Sequence, residues 1–263
     1  MARGCVSLRG NISTDARKVP PRWTLRRISV RSARGKNHQT WRSNSPKPIV
    51  VSRGLRQNNS HPVKHLEQAM SVLKRDSDHH TYADYLIWSR TYGDELVDGT
   101  AYVREPPSPT RSHQEIVGEL YFQIARALEG KSSRVYVAPF DVRLPKSSEQ
   151  DDLVDTVVQP DVFIVSDLQK VDARGVRGAP DWLAEVLSPS TASHDQIVKL
   201  PAYERAGVRE VWLIRPIELT VAIYKAEAGC YGRATILELK GQTRLTAFPD
   251  ITIDWDRVVA RMS

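Results

Sequence analysis

The stretch Trp182-Leu-Ala-Glu-Val-Leu187 places one carboxylate in the middle of an apolar run. A run of this length and composition predicts a buried β-strand. Because side chains alternate along a strand, Glu185 shares a face with Leu183 and Leu187. An ionised carboxylate there is costly unless a cation or hydrogen-bond donors compensate it. We therefore predict that Glu185 has a specific partner.

A second carboxylate has the same setting on the preceding predicted strand, residues 156–165. Asp161 follows Pro160 and precedes the apolar residues Val162-Phe-Ile-Val165. Taken alone, Asp161 is explained by a bulge and Glu185 by an arginine partner. Two such carboxylates on successive strands favour one shared cation instead. Oxygen ligands of this kind suit Mg²⁺ or Mn²⁺, which bind one or two carboxylates and keep several waters.

The candidate for a protein cation is a lysine on the next predicted helix, residues 191–206. Within it Asp195, Lys199 and Tyr203 are spaced by four, so they share one face. Lys199 can point back to the carboxylates, or it can pair with Asp195 in solvent. Pro201 is expected to kink this helix, because an interior proline removes a hydrogen bond.

The remaining pattern predicts a mixed α/β domain with antiparallel strands toward the C-terminus. Apolar residues four apart predict a helix over 110–129, and Asp98-Gly99 is typical of a tight hairpin turn. Further strands are predicted at 134–144, 209–214, 219–225, 231–239 and 243–248, and further helices at Thr81 onward and 255–262.

Six segments, in this order, resemble the PD-(D/E)XK or restriction-endonuclease-like superfamily, and within it the Uma-two family of small bacterial endonucleases. The similarity covers roughly residues 75–260. The segments are Asp94-Glu-Leu-Val-Asp-Gly99, Pro107-Ser-Pro-Thr-Arg-Ser-His113, Val157-Val-Gln-Pro-Asp161, Arg177-Gly-Ala-Pro-Asp-Trp-Leu-Ala-Glu-Val-Leu-Ser-Pro-Ser-Thr191, Lys199-Leu-Pro-Ala-Tyr-Glu-Arg-Ala-Gly-Val208 and Val211-Trp-Leu-Ile-Arg-Pro216.

The resemblance implies a three-layer α/β core with a mixed central sheet and hydrolysis of nucleic-acid phosphodiesters, with DNA the expected substrate. It also implies a homodimer. Asp161 and Glu185 would be the ligands of Mg²⁺ or Mn²⁺, and Lys199 the cation beside the attacking water. The superfamily's usual lysine, two residues after the glutamate, would fall at Leu187. Lys199 would take its place.

Further polar residues have either a functional or a structural explanation. His113, near the start of the 110–129 helix, would contact phosphate or metal-coordinated water, or would cap and pack locally. Arg174 and Arg177 precede the Glu185 strand and would reach backbone phosphates, or would simply be solvated. His194 is expected to face solvent.

The charge is divided unevenly along the chain. Residues 1–69 hold fifteen Lys and Arg against two acidic residues, a net +13, so the other 194 residues carry −6 of the total +7. The composition of 1–69 predicts a mostly disordered basic extension before a nuclease domain at 70–263. A translated upstream stretch before Met70, a nucleic-acid-binding arm and a transit peptide all explain it.

Composition excludes several classes of protein. No apolar run approaches the ~18 residues that cross a membrane. Two cysteines, Cys5 and Cys230, provide no disulfide framework, so we expect a cytoplasmic protein. The leading hypothesis is a metal-dependent endonuclease. The alternatives are an inert nucleic-acid-binding or assembly module of the same fold, and a hydrolase of another phosphate ester, which suits the −6 of the body.

Overall fold

The computed structural model describes residues 73–88, 94–103 and 109–262. The predicted extension 1–69 lies outside the described residues. Besides two 3₁₀ helices (Asp151–Leu153 and Leu168–Lys170), the described helices are α1 (Tyr82–Ile87), α2 (Arg111–Ala127), a π-helix (His194–Lys199), α3 (Leu200–Ala206) and α4 (Trp255–Met262). The strands are β1 (Leu73–Lys74), β2 (Glu95–Val97), β3 (Thr100–Val103), β4 (Arg134–Val137), β5 (Val142–Arg143), β6 (Val157–Val158), β7 (Val162–Val165), β8 (Val171–Asp172), β9 (Gly175–Arg177), β10 (Trp182–Val186), β11 (Glu210–Arg215), β12 (Thr220–Glu227), β13 (Cys230–Tyr231), β14 (Thr235–Glu238), β15 (Gln242–Arg244) and β16 (Thr252–Asp254).

A mixed sheet forms the centre of the fold. Its strand order is β13-β12-β11-β10-β7-β4, and β14 pairs with β12 as well. The pair β10–β11 is parallel, with Glu185 opposite Leu213. The pairs β4–β7, β7–β10, β11–β12 and β12–β14 are antiparallel. The predicted mixed central sheet, with antiparallel strands toward the C-terminus, is therefore confirmed.

One face of this sheet is covered by α2 and α4. The residues of α2 that recur every four positions, Ile116, Leu120 and Ile124, are buried there with the three large indoles Trp182, Trp212 and Trp255. The ring centroids of Trp182 and Trp212 are 5.4 Å apart and those of Trp212 and Trp255 are 5.7 Å apart. Truncating one such indole typically costs about 3–5 kcal/mol, so this cluster anchors the helical layer.

The opposite face is covered by α3 and by a second sheet. That sheet has the order β1-β3-β2-β6-β5-β9-β8. Its Val142 and Val158 pack into one apolar cluster with Leu183 of β10 and Tyr203 of α3. The predicted three layers are present, and the third consists largely of strands.

Two predicted long strands are each divided between the sheets. Residues 134–144 form β4 in the central sheet and β5 in the second sheet, and Pro139 lies between them. Residues 156–165 divide in the same way at Pro160. Proline has no N–H for a strand ladder, so the chain leaves one sheet there and enters the other. This division leaves Asp161 at the start of β7.

The predicted helix over 191–206 begins as a π-helix and continues as α3. Pro201 lies in the first turn of α3, where a proline is tolerated, and Gly207 ends the helix with a left-handed backbone (φ 85°). The predicted hairpin turn is also present, because Asp98 and Gly99 have positive φ angles between β2 and β3. Within the described residues, every helix is too short or too polar to cross a membrane.

Candidate active site

Asp161 and Glu185 meet where the start of β7 lies beside the end of β10. The antiparallel register pairs Val162 with Ala184, which makes the two carboxylates neighbours. Oδ2 of Asp161 accepts the Val186 N–H at 2.8 Å, and Oε2 of Glu185 accepts the Asp161 N–H at 3.4 Å. Both side chains are buried. The structure thus brings the two predicted carboxylates together in a largely dry environment.

Lys199 reaches this pair from the π-helix. Its Nζ lies 2.7 Å from Oε1 of Glu185, 2.9 Å from Oε1 of Glu95 and 3.4 Å from Oδ1 of Asp195. The exposed fraction of the Lys199 side chain is 0%. One ammonium group therefore serves three buried carboxylates, and the sequence-based picture of Lys199 as a solvated partner of Asp195 is wrong.

Tyr203 follows Lys199 by one turn and fixes the same carboxylate. Its hydroxyl donates to Oε1 of Glu185 at 2.5 Å. Burial, and then the negative charges of Glu185 and Glu95, raise the pKa of Tyr203 well above its ordinary value. The phenol therefore stays protonated and keeps donating at neutral pH. With Oε1 held in this way, Oε2 of Glu185 is the oxygen directed toward Asp161.

Glu95, which sequence reasoning did not select, completes the cluster from β2. Its Oε1 accepts the Gln159 N–H at 2.9 Å in addition to contacting Lys199, and its Oε2 lies 3.0 Å from Nε2 of His194. The sequence does contain a feature that could have identified Glu95. This residue is a carboxylate next to the apolar residues Leu96-Val97, just before a hairpin turn, and a carboxylate in an apolar segment is also the feature that identified Glu185.

His194 is buried, so the prediction that it faces solvent is wrong. Its ring lies against Tyr102 with the centroids 4.5 Å apart. In a π-helix the backbone hydrogen bonds join residues five apart, so His194 and Lys199 project from nearly the same face of the helix. Both side chains then bind Glu95.

His113 approaches from the other side of the central sheet, at the start of α2. Its Nε2 lies 3.2 Å from Oδ2 of Asp161, and its backbone N–H donates to the side chain of Thr110. Its Nδ1 is buried and makes no hydrogen bond with the described residues. His113 therefore contacts the candidate metal ligand and holds one of its two oxygens.

The two carboxylates differ in their affinity for protons. Burial alone would raise the pKa of Asp161, but His113, the Val186 N–H and Lys199 hold that pKa below its ordinary value. Burial raises the pKa of Glu185 to about 8. Lys199 opposes this, while Asp195, Asp161 and Glu95 add repulsion. Without a further cation, Glu185 holds a proton at neutral pH and Asp161 is ionised.

The donor set fits a hydrated divalent cation. Within the part of the chain that the structure describes, Oδ1 of Asp161 accepts no hydrogen bond, and no group of three or more His, Cys, Asp or Glu is arranged to hold a metal ion. Two carboxylates suffice for Mg²⁺ or Mn²⁺, which take their other ligands from water and substrate phosphate. Asp161 and Glu185 are thus suited to an ion that keeps water ligands, and not to an ion that is coordinated by protein ligands alone.

Arg174 and Arg177 are engaged elsewhere, on the second sheet. Nε of Arg177 lies 3.2 Å from Oδ1 of Asp151, and Nη1 of Arg174 lies 3.6 Å from Oδ1 of Asp152. Neither has a described contact with the cluster around Glu185. The structure therefore gives these arginines ion pairs on the second sheet, and their contact with backbone phosphates stays a prediction.

A family model and a solved structure that match this chain are both described as nucleases. The family model Uma2, described as "Putative restriction endonuclease", matches residues 82–256. Among solved structures, the chain is similar to the crystal structure of a putative nuclease belonging to DUF820 from Anabaena variabilis. The identity is 19% and the TM-score 0.54, over 70% of this chain and 99% of that one. No curated protein matches the chain.

Proposed function

Since this chain belongs to the Uma2 family of restriction-endonuclease-like proteins, we propose that it is a metal-dependent endonuclease that hydrolyses phosphodiester bonds, with DNA as its substrate. The observation that carries the proposal is the meeting of Asp161, Glu185 and Lys199 at the ends of β7 and β10. Asp161 and Glu185 would hold Mg²⁺ or Mn²⁺. When bound, that ion would polarise a phosphoryl oxygen and lower the pKa of a water molecule.

The protein's own groups would position the reaction. Val186 and His113 hold Oδ2 of Asp161, which leaves Oδ1 for the cation. Tyr203 and Lys199 hold Oε1 of Glu185, and its Oε2, which faces the Asp161 N–H at 3.4 Å, would be the oxygen that binds the same cation. The buried charge of Lys199 would offset the negative charge that develops at phosphorus, an electrostatic contribution that does not require direct contact.

A cleavage assay tests the proposal. The full chain would be incubated with single-stranded DNA, duplex DNA and RNA, with Mg²⁺, Mn²⁺ or EDTA. We expect cleavage only with the divalent ions, and a loss of at least about 100-fold in Asp161→Asn and Glu185→Gln. Glu218→Gln, which removes an exposed carboxylate, is the matched control and should cleave normally. Equal cleavage by all four proteins would refute the assignment of the site.

Two other functions give distinct results in the same experiment. Binding of nucleic acid without cleavage under any condition would indicate an inert binding module. The net −6 of residues 70–263 favours a smaller phosphodiester as substrate, because a polyanion is repelled by that charge. Hydrolysis of bis(p-nitrophenyl) phosphate without cleavage of any polymer would indicate that activity. We also propose a homodimer. Size-exclusion chromatography with light scattering would test it, because the molar mass in solution should be twice that of one chain.

A further inference from the structure

The outer face of α2 is exposed along most of its length and combines arginine with an aromatic ring. Arg111, Gln114, Gly118 and Phe122 lie on the side of the helix that faces away from the sheet, at positions that helical geometry places in one stripe. The buried apolar residues of α2, Ile116, Leu120 and Ile124, occupy the opposite side. We call these four residues the outer stripe. It extends for about 16 Å along the helix.

The antiparallel helix α4 flanks this stripe and adds two arginines. Near the start of α4, the Asp254 N–H donates to Gln123 of α2. One turn on, Nε of Arg257 lies 2.9 Å from Glu119, and at the far end Arg111 donates to the carbonyl of Arg261 at 3.3 Å. The C-terminal end of α4 therefore lies beside the N-terminal end of α2.

Three arginines are exposed where the two helices meet. Arg111, Arg257 and Arg261 keep 68%, 48% and 60% of their side chains exposed. The neighbouring acids are Glu119, which is buried beneath Arg257 and Arg261, Glu115, which lies 3.8 Å from Arg111, and Asp254, which accepts the backbone N–H of Arg257. The exposed guanidinium groups are accessible to an external anion, and the most buried of these acids, Glu119, lies beneath them. This face is therefore a local site of exposed positive charge on a body with a net charge of −6.

An aromatic ring accompanies the arginines. Phe122 is exposed, and the guanidinium carbon of Arg257 lies 5.6 Å from the centre of its ring. Arginine beside an exposed ring is the combination with which proteins bind single strands, because every base can stack on the ring and the phosphates pair with the cations.

The outer stripe begins at the same end of α2 as the contact with the candidate active site. His113, which contacts Asp161, follows Arg111 by two residues, so it points to the opposite, sheet-facing side of the helix. A strand whose reacting phosphate lies at Asp161 would round the start of α2 and then continue along the outer stripe. We propose that the outer stripe, with Arg257 and Arg261, binds one unpaired strand of the nucleic-acid substrate next to the cleavage point. This inference rests on the proposed nuclease function.

Gly118 offers a test that does not disturb the fold. A Cβ atom added at Gly118 meets nothing within 4 Å, and Glu and Gln are both better helix formers than Gly. Gly118→Glu and Gly118→Gln thus differ only in charge. Binding of the full chain to short fluorescein-labelled single-stranded DNA would be measured in EDTA by anisotropy. Gly118→Glu should bind about threefold or more weakly than Gly118→Gln at low salt, and the difference should vanish at high salt.

Phe122→Ala isolates the stacking contribution. Its affinity for single-stranded DNA should fall roughly 5- to 150-fold. The loss should persist at high salt, where binding by the basic residues 1–69 is screened. Duplex DNA should be affected much less. With divalent ion present, KM should rise while kcat is unchanged, because the stripe does not touch the reacting atoms.

The results separate this proposal from the nuclease proposal. Metal-dependent cleavage together with wild-type DNA binding in both Gly118→Glu and Phe122→Ala would overturn the stripe alone. Sensitivity of binding to both variants in a protein that never cleaves would support the stripe as a binding surface and overturn the nuclease. Variants that change the oligomeric state but leave DNA affinity unchanged would show a contact between copies, and the strand-binding proposal would be wrong.

Discussion

Replacing Lys199 with methionine is the most direct probe of the buried charges. Methionine nearly conserves the apolar stem but removes the ammonium group, which lies within 3.4 Å of oxygens of Glu95, Glu185 and Asp195. Removing one partner of a buried ion pair costs about 3–5 kcal/mol, because the remaining charge stays in the dry interior without compensation. For a domain of this size, that free energy lowers Tm by about 6–20 °C.

Urea denaturation followed by tryptophan fluorescence would measure this loss, in EDTA at pH 8. Lys240→Met removes an exposed lysine and should leave the midpoint unchanged. The double variant Lys199→Met/Glu95→Gln should recover part of the stability, because it also removes one of the uncompensated charges. A loss below about 1 kcal/mol in Lys199→Met, the range of exposed ion pairs, would refute the buried three-carboxylate arrangement.

The remaining predictions concern metal, pH and the N-terminal region. Mg²⁺ or Mn²⁺ should raise Tm by mass action, and Asp161→Asn should lose most of this increase in a thermal melt. Because the pKa of Glu185 is raised to about 8 in the fold, against ~4.3 in an unfolded chain, the native state holds a proton that the unfolded state lacks between these values. Metal-free stability should therefore fall as pH rises through this window, and Glu185→Gln should lose that fall; a pH slope in the variant as steep as in wild type would contradict the assignment. A chain beginning at Met70 should keep its Tm while its affinity for nucleic acid falls and becomes less dependent on salt, and failure of that chain to fold would place the domain boundary upstream.

Local patterns predicted the elements that carry the site. The run around Glu185 determines β10 by itself, because its length and apolar residues are sufficient for a buried strand. The predicted strand around Asp161 was right in type but not in extent. Pro160 could be recognised as a point where a ladder is interrupted, yet no local feature shows that the chain then enters a different sheet.

Local hydrophobic patterns do not predict contacts between segments that are far apart in the sequence. Glu95 and Lys199 are separated by more than a hundred residues, and only the packing of the β2–β3 hairpin against the π-helix brings them together. The orientation of His194 depends on whether that helical turn spans four residues or five. The α-helical spacing of four residues correctly placed Lys199 and Tyr203 on one face, but no feature of the sequence indicated the π-helix that holds His194.

The charges at the site account for its expected response to a cation. Glu95, Asp161, Glu185 and Asp195 are buried together. Within the described ranges, Lys199 lies within 3.4 Å of oxygens of three of them, His113 contacts Asp161 and His194 contacts Glu95. Burial raises the pKa of Glu185, and repulsion by Asp195, Asp161 and Glu95 raises it further against the opposing charge of Lys199. Under the proposed function, a divalent cation beside Asp161 would supply positive charge and lower the pKa of Glu185. Metal binding would then be linked to release of the Glu185 proton, so the affinity for Mg²⁺ or Mn²⁺, measured by calorimetry, should rise with pH as this carboxyl ionises.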